Sequence, residues 1–157
     1  MKTYTALIEW SCGEDEFTKS EYSRVHSWTF DSGDVIKASA SPHIVPEPYS
    51  TPDAVDPEEA FIASISSCHM LWFLAIVSKR DYKVDQYTDR AKGVMGKNDH
   101  GRLAIAKVDL YPVLRFSGDR IPDDSEIQSM HREAHEKCFI ANSVRTEITV
   151  HLESEPN

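Results

Sequence analysis

The pattern of apolar and polar positions is most regular in residues 56–80, where it predicts one long helix. Charged residues lie only near the two ends, and apolar or small side chains fill most positions between them. Asp56 can cap this helix, Pro57 suits its first turn, and Glu59 completes a capping box. Arg80 suits the opposite end, where cations interact favourably with the helix dipole. A helix that is apolar on all sides is typical of a protein core.

The apolar part of this helix, from Ala60 to Val77, is also just long enough to cross a membrane. Its middle carries several polar side chains, and the remainder of the chain is polar. We therefore expect a buried core helix and no membrane association.

Shorter runs of alternating apolar and polar residues predict strands before this helix. Residues 1–40 contain three such runs, at 4–10, 22–30 and 35–40. A loop at 41–55 follows, and its four prolines exclude a helix or a central strand there. Loops of this length are often functional.

After the long helix, residues 83–116 are expected to form a hairpin, with an edge or a bulge at Pro112. A second helix is predicted at 123–141 and a last strand at 146–152. This order of elements predicts a single α+β domain over residues 1–157, with antiparallel sheets and two core helices.

The composition of the 157-residue chain is 40% hydrophobic and 27% charged, which is ordinary for a soluble domain. The net charge of −9 argues against nucleic acid and anionic membrane surfaces as partners. The chain starts with a strand-like run instead of a secretion signal, and it has three cysteines, an odd number. We therefore expect a cytoplasmic location and thiols with a chemical role.

Two of the cysteines lie on the predicted helices. Cys68 is near the middle of the first helix, on a side that also carries Glu58 and that we expect to face inward, and Cys138 is on the inward side of the second helix. If these helices pack together, the two thiols come close to each other. Cys12 is next to a glycine in a turn, and we assign it no role. The alternative is that each cysteine is simply a small buried side chain.

Two neighbouring thiols are suited to the reduction of a peroxide. A thiolate attacks the O–O bond and becomes a sulfenic acid, and a second thiol condenses with it to a disulfide. The attacking thiol must be ionised, although a free cysteine has a pKa of about 8.5. An arginine nearby would favour the thiolate, and Arg24 is the only arginine before Arg80. Glu58 is suited to hold a guanidinium through two parallel hydrogen bonds.

Residues 56–70, which begin Asp-Pro-Glu-Glu and continue through small residues to a cysteine, resemble the core helix of the OsmC/Ohr family. This family comprises the osmotically induced and organic hydroperoxide resistance proteins. Residues 134–138, followed by Asn142, are similar to the second cysteine motif of the family. Phe139 stands where the family usually has a proline.

The resemblance implies an α+β fold in which antiparallel sheets wrap around two core helices, within an intertwined homodimer. It implies reduction of organic hydroperoxides without a cofactor, with Cys68 as the peroxidatic cysteine and Cys138 as the resolving cysteine. Arg24 would activate the thiolate and Glu58 would orient that arginine. The reductant implied is an external dithiol or a lipoylated protein.

Metal binding is the main alternative function. His131, His135 and Cys138 are spaced to share one side of a helix, and Cys68 with His69 would complete a zinc site. A second alternative is a non-catalytic dimeric module, in which the aromatic residues and the proline-rich loop form an apolar ligand pocket. A cysteine hydrolase is disfavoured because no motif places a histidine as the base.

Overall fold

The computed structural model describes residues 1–152. They divide into two compact units, of which the first is Met1–Ala60 and the second starts at Phe61. The first unit contains an antiparallel sheet with the strand order β1-β2-β3. Its strands are β1 (Ala6–Glu9), β2 (His26–Phe30) and β3 (Val35–Ala38). A short 3-10 helix, Phe17–Lys19, lies between β1 and β2.

The predicted strand at 22–30 is shorter in the structure because its first residues bond elsewhere. The backbone N–H of Arg24 donates to the carbonyl of Tyr49 in the proline-rich loop, at 2.9 Å. The end of the loop also joins the sheet, since Val55 N–H donates to the Lys37 carbonyl at 3.1 Å. The loop itself contains no helix and no named strand, as predicted.

The long helix α1 (Pro57–Lys79) is confirmed to within one residue at each end. Its predicted capping box is present, with the Glu59 N–H donating to Asp56 Oδ1 at 2.7 Å. Its buried face differs from the predicted one, however. The buried positions are Ile65, His69, Phe73, Ile76 and Val77. Cys68 is consequently only half-buried, because a helix that is apolar on all sides gives no periodic signal for its inner face.

The second unit contains the predicted hairpin, but each of its arms is divided into two strands. The strands are β4 (Lys83–Asp89), β5 (Lys92–Lys97), β6 (Leu103–Leu110) and β7 (Pro112–Ser117). β4 pairs with β7 and β5 pairs with β6, so the hairpin contributes to two sheets. At the break, Asp89 Oδ1 accepts a hydrogen bond from the Tyr111 N–H at 2.7 Å, and Pro112 has no N–H to give.

The last α-helix and the last strand of the described residues are α2 (Asp124–Lys137) and β8 (Glu147–Val150). β8 pairs with β6 in parallel, so this sheet is mixed and not purely antiparallel as the sequence suggested. A tight turn joins only antiparallel strands, whereas the helical connection through α2 returns β8 in the parallel direction.

Helix α1 has two apolar contact regions in the second unit. Phe73, Ile76 and Val77 pack in a buried cluster with Met130 and Ala134 of α2. A second cluster joins the first half of the helix to β6 and is formed by Ile65, Val108 and Leu110. Within residues 1–152, α1 is the one helix that is long and apolar enough to cross a membrane, a test that core helices of soluble proteins also pass.

Two histidines form a polar contact inside this apolar packing. His69 Nε2 of α1 lies 2.9 Å from His131 Nδ1 of α2, and the two side chains are only 1% and 3% exposed. The other ring nitrogens, His69 Nδ1 and His131 Nε2, are buried without a hydrogen-bond partner. Each such unpaired polar atom costs about 1–3 kcal/mol.

The histidine pair is uncharged at neutral pH. Burial lowers the pKa of His69 to about 4, with His135 as a smaller cause. Burial also lowers the pKa of His131 to about 3, with His69 as the smaller cause. Both values are well below the ordinary histidine pKa of about 6.5.

The first prediction concerns the start of α2, where Asp123 Oδ1 accepts from the Glu126 N–H at 2.8 Å and the Glu126 side chain accepts from the Asp123 N–H at 3.0 Å. Asp123→Ala removes this capping box and should lower the free energy of unfolding by about 1 kcal/mol. Urea denaturation measures the change. Asp123→Asn keeps a side-chain acceptor and is the matched control, so equal losses in the two variants would contradict the capping role.

The second prediction concerns acid stability. Unfolded histidines bind protons as the pH falls below about 6.5, whereas His69 and His131 in the folded chain remain neutral until about pH 4. The free energy of unfolding should therefore fall between those values, by about 2 kcal/mol between pH 7 and pH 5 for each of the two histidines. Urea denaturation of the wild type and of the His69→Leu/His131→Leu double variant tests this, since the double variant should lose that part of the pH dependence. Equal pH dependence in the two proteins would contradict the assignment.

Candidate active site

The thiols of Cys68 and Cys138 meet in the second unit. Cys68 lies halfway along α1, and Cys138 follows the last residue of α2 as its C-terminal cap. The two thiols are close enough for Cys68 to affect the ionisation of Cys138, and neither cysteine forms a disulfide. The structure thus brings together the two cysteines that the sequence places on inward sides of two helices.

The two thiols differ in their surroundings. Cys138 is 1% exposed, whereas Cys68 is half-buried. Burial, followed by the interaction with Cys68, raises the pKa of the Cys138 thiol to about 11. Cys138 is therefore protonated at neutral pH, and Cys68 is the thiol more accessible to a small molecule.

A tight turn after α2 holds Cys138 in place. The Ala141 N–H donates to Cys138 Sγ at 3.4 Å, which partly opposes the rise in its pKa. The side-chain amide of Asn142 donates to the carbonyls of Glu136 and Cys138 at 2.9 and 3.0 Å. These bonds satisfy carbonyl groups that a helix end leaves unpaired. The similarity of Asn142 to the family motif therefore has a local structural reason.

Two aromatic side chains pair next to the thiols along both helices. Trp72 lies one turn after Cys68, and Phe139 directly follows Cys138. Their rings form an edge-to-face contact with centroids 5.5 Å apart, and Phe139 is 68% exposed. In the sequence, Phe139 is notable only because it replaces the family's usual proline, and this aromatic contact is not predicted. The contact adds an apolar surface beside the two cysteines.

Arg24 and Glu58, the predicted activating residues, belong to the first unit. The Arg24 guanidinium donates to the carbonyls of Ser20 and Tyr22, and it lies 3.7 Å from the centroid of the Tyr22 ring. Glu58 lies in the first turn of α1. No hydrogen bond or ion pair joins Glu58 to Arg24 in the part of the chain that the structure describes. The roles of both residues therefore stay predictions.

Arg24 lines an apolar cavity of about 460 Å³ within the first unit. Trp10, Phe17 and Tyr22 contribute most of the aromatic surface, and neighbouring rings have centroids 4.7–5.7 Å apart. Residues 41–55 contribute nothing to the lining of this cavity. This cavity is therefore not the pocket that the sequence predicted from the proline-rich loop.

The residues proposed for a zinc site do not converge on one point. Within residues 1–152, no group of three or more His, Cys, Asp or Glu side chains is arranged to hold a metal ion. The His69 and His131 side chains form a hydrogen bond with each other, and Cys68 lies next to Cys138. The sequence did not predict the contact between His69 and His131, although both residues lie on the helices that carry the cysteines.

Comparisons with known proteins identify the family and the fold of the chain. The sequence pattern of the OsmC-like protein family matches residues 50–153. The structure of an OsmC-like protein of unknown function from Vibrio cholerae is 49% identical, with a TM-score of 0.94 over 96% of this chain and 99% of that chain. A comparison with curated proteins finds no match.

Two more distant structures share the fold. An organic hydroperoxide resistance protein from Elizabethkingia anophelis is 21% identical, with a TM-score of 0.68 over 100% of this chain and 98% of that chain. The organic hydroperoxide resistance protein OhrB of Bacillus subtilis is 16% identical, with a TM-score of 0.63 over 98% of each chain. With two helices on antiparallel and mixed sheets, a matching sequence pattern and a close structural relative, the chain belongs to the OsmC-like protein family.

Proposed function

We propose that this protein is a thiol-dependent peroxidase that reduces organic hydroperoxides. The observation that carries the proposal is the pair of neighbouring free thiols, one half-buried and one fully buried. The names of the two distant relatives, both organic hydroperoxide resistance proteins, support the same substrate class. The reaction requires no cofactor.

The first step oxidises Cys68. Its thiolate attacks one oxygen of the hydroperoxide, an S–O bond forms, and the O–O bond breaks. The alkoxide that leaves takes a proton and departs as an alcohol, and Cys68 becomes a sulfenic acid. Cys68 fits this role because it is the more exposed of the two thiols, and the Trp72–Phe139 contact offers an apolar surface for the organic part of the substrate.

The second step joins the two cysteines. The sulfur of Cys138 attacks the sulfur of the Cys68 sulfenic acid, an S–S bond forms, and the S–O bond breaks. The departing hydroxide takes the Cys138 proton and leaves as water. Cys138 keeps that proton until this step because its pKa is raised to about 11. An external dithiol or a lipoylated protein would then reduce the disulfide and restore both thiols.

We assign Arg24 the role of favouring the Cys68 thiolate, and Glu58 that of orienting the guanidinium. In the isolated chain, Arg24 bonds instead to two backbone carbonyls of its own loop. The proposed activation therefore requires the guanidinium to exchange at least part of these contacts. An intertwined homodimer in the cytoplasm is part of the same proposal.

The third prediction tests the thiol cycle by intact mass spectrometry and peptide mapping. One equivalent of cumene hydroperoxide should remove two hydrogen atoms from the reduced protein and cross-link Cys68 to Cys138, with Cys12 still free. Cys68→Ser should not consume the peroxide. Cys138→Ser should consume one equivalent and stop as a sulfenic acid that dimedone traps.

Cys12→Ser is the matched control for these variants, since it removes a thiol from a turn outside the site. It should turn over hydroperoxide like the wild type. Thiols of the wild type that remain reduced after the addition of hydroperoxide would refute the proposed function.

The fourth prediction concerns Arg24. Arg24→Ala should slow the oxidation of Cys68 by about tenfold or more. A neighbouring cation lowers the pKa of an acidic group by about 1–3, so its loss leaves less of the reactive anion. Stopped-flow fluorescence with cumene hydroperoxide at pH 7 measures this rate. Lys19→Ala is the control, because it removes a cation of the same unit that pairs with exposed Glu16. Equal rates in Arg24→Ala and Lys19→Ala would remove Arg24 from the mechanism.

A further inference from the structure

The buried histidine pair lies on the same two helices as the thiols and close to them in sequence. His69 directly follows Cys68 on α1, and His131 precedes Cys138 by two turns of α2. The 2.9 Å contact joins the two helices, and the two rings are parallel to within 1°. The proposed reaction does not use either imidazole.

Stability does not explain why these two residues are histidines. Two neutral imidazoles have two N–H donors and two acceptor nitrogens, and the contact between them uses one of each. One donor and one acceptor therefore remain, and they are the buried unpaired nitrogens of His69 and His131. Since apolar side chains of similar size would leave no such atoms, an apolar pair should stabilise the fold at least as well.

The histidine contact differs from the surrounding packing because it is directional. The His131 ring also stacks on Phe73, with centroids 4.0 Å apart, and Met130 and Ala134 add further apolar contacts. Apolar contacts depend little on direction, so they permit small sliding and rotation of one helix against the other. A hydrogen bond in a buried, low-dielectric site restricts both movements.

A second polar contact joins the region after α1 to α2 at a distance from the thiols. Arg80 Nη2 lies 2.8 Å from Glu133 Oε2, and both side chains are about one-third exposed. Arg80 is twelve residues beyond Cys68, which corresponds to roughly 18 Å along the helix axis. Of these two polar contacts, only the histidine pair is adjacent to a thiol.

We propose that His69 and His131 are positioning residues that hold Cys138 at attack distance from Cys68. This inference rests on the proposed peroxidase function and assigns the histidine pair to its second step. The first step needs only Cys68 and the hydroperoxide, so it is independent of the pair. The second step needs the two sulfur atoms at bonding distance, so it depends on the register between α1 and α2.

Loss of the histidine contact has a distinct chemical consequence. A Cys68 sulfenic acid that waits for Cys138 can react with a second hydroperoxide. That reaction adds a second oxygen to the sulfur, breaks a second O–O bond and releases a second alcohol, which leaves a sulfinic acid. The ratio of sulfinic acid to disulfide therefore reports how fast Cys138 reaches Cys68.

The experiment compares the wild type with the His69→Leu/His131→Leu double variant. Stopped-flow fluorescence gives the rate of the first oxidation, and intact mass spectrometry over a series of cumene hydroperoxide concentrations gives the sulfinic-to-disulfide ratio. We expect the first rate to remain within about twofold of the wild type, because the double variant leaves Cys68 in place. We expect the ratio to rise by about tenfold or more, since small misplacement of reacting groups has large effects on rate.

Two further variants separate positioning from a general effect on the fold. His69→Gln carries an amide near the position of Nε2, and it should restore part of the resolving rate that His69→Leu loses. Arg80→Gln weakens the Arg80–Glu133 ion pair without touching the histidines or the Glu133–Lys137 pair, and it should leave the ratio unchanged. Urea denaturation should show the double variant at least as stable as the wild type at pH 7.

The outcomes are distinguishable. A wild-type protein that forms no disulfide refutes the proposed function itself. A wild-type disulfide with the same ratio in the double variant refutes only the role of the histidines. An equal rise in the ratio for Arg80→Gln also refutes it, because any loosening of the helices would then suffice. If the double variant does not fold, the comparison of His69→Gln with His69→Leu decides the question.

Discussion

The packing of α1 against α2 is the constraint on which the candidate site depends. Cys68 belongs to one helix and Cys138 ends the other, so any shift between the helices changes the distance between the thiols. An apolar cluster holds the two helices together, and one buried histidine contact adds direction to that packing. The turn after α2, with its bond from Ala141 to the Cys138 sulfur, fixes the second thiol locally.

The sequence predicted the elements of the fold better than it predicted their pairing. The ends of α1 were predictable because Asp56 supplies a capping box and the apolar run has charged limits. The division of the hairpin was not, because it depends on a hydrogen bond from Tyr111 to the side chain of Asp89, more than twenty residues away. The parallel pairing of β8 likewise depends on how the chain returns through α2.

The candidate site, like the fold, could be predicted from the sequence only in part. The helical period predicted that Cys138 faces inward, because α2 has one apolar and one charged side. The same period could not identify the inner face of α1, because apolar residues occur on all sides of that helix. The burial of His69, and with it the histidine contact, was therefore not predicted. The assignment of Arg24 came from resemblance and from its being the first arginine in the chain. The present contacts of its guanidinium with Ser20 and Tyr22 have no signature in the sequence.

The contact between Cys68 and Cys138 joins positions that are far apart in the chain. In the proposed cycle, oxidation would turn that contact into a covalent cross-link that closes a loop of roughly 70 residues. In the chain-entropy description, a cross-link of this span stabilises a fold by about 4 kcal/mol through the unfolded state. The oxidised protein would then resist local opening and proteolysis better than the reduced one. Each turnover would carry the chain through a more durable and a less durable form, and its lifetime in the cell would depend on the supply of reductant.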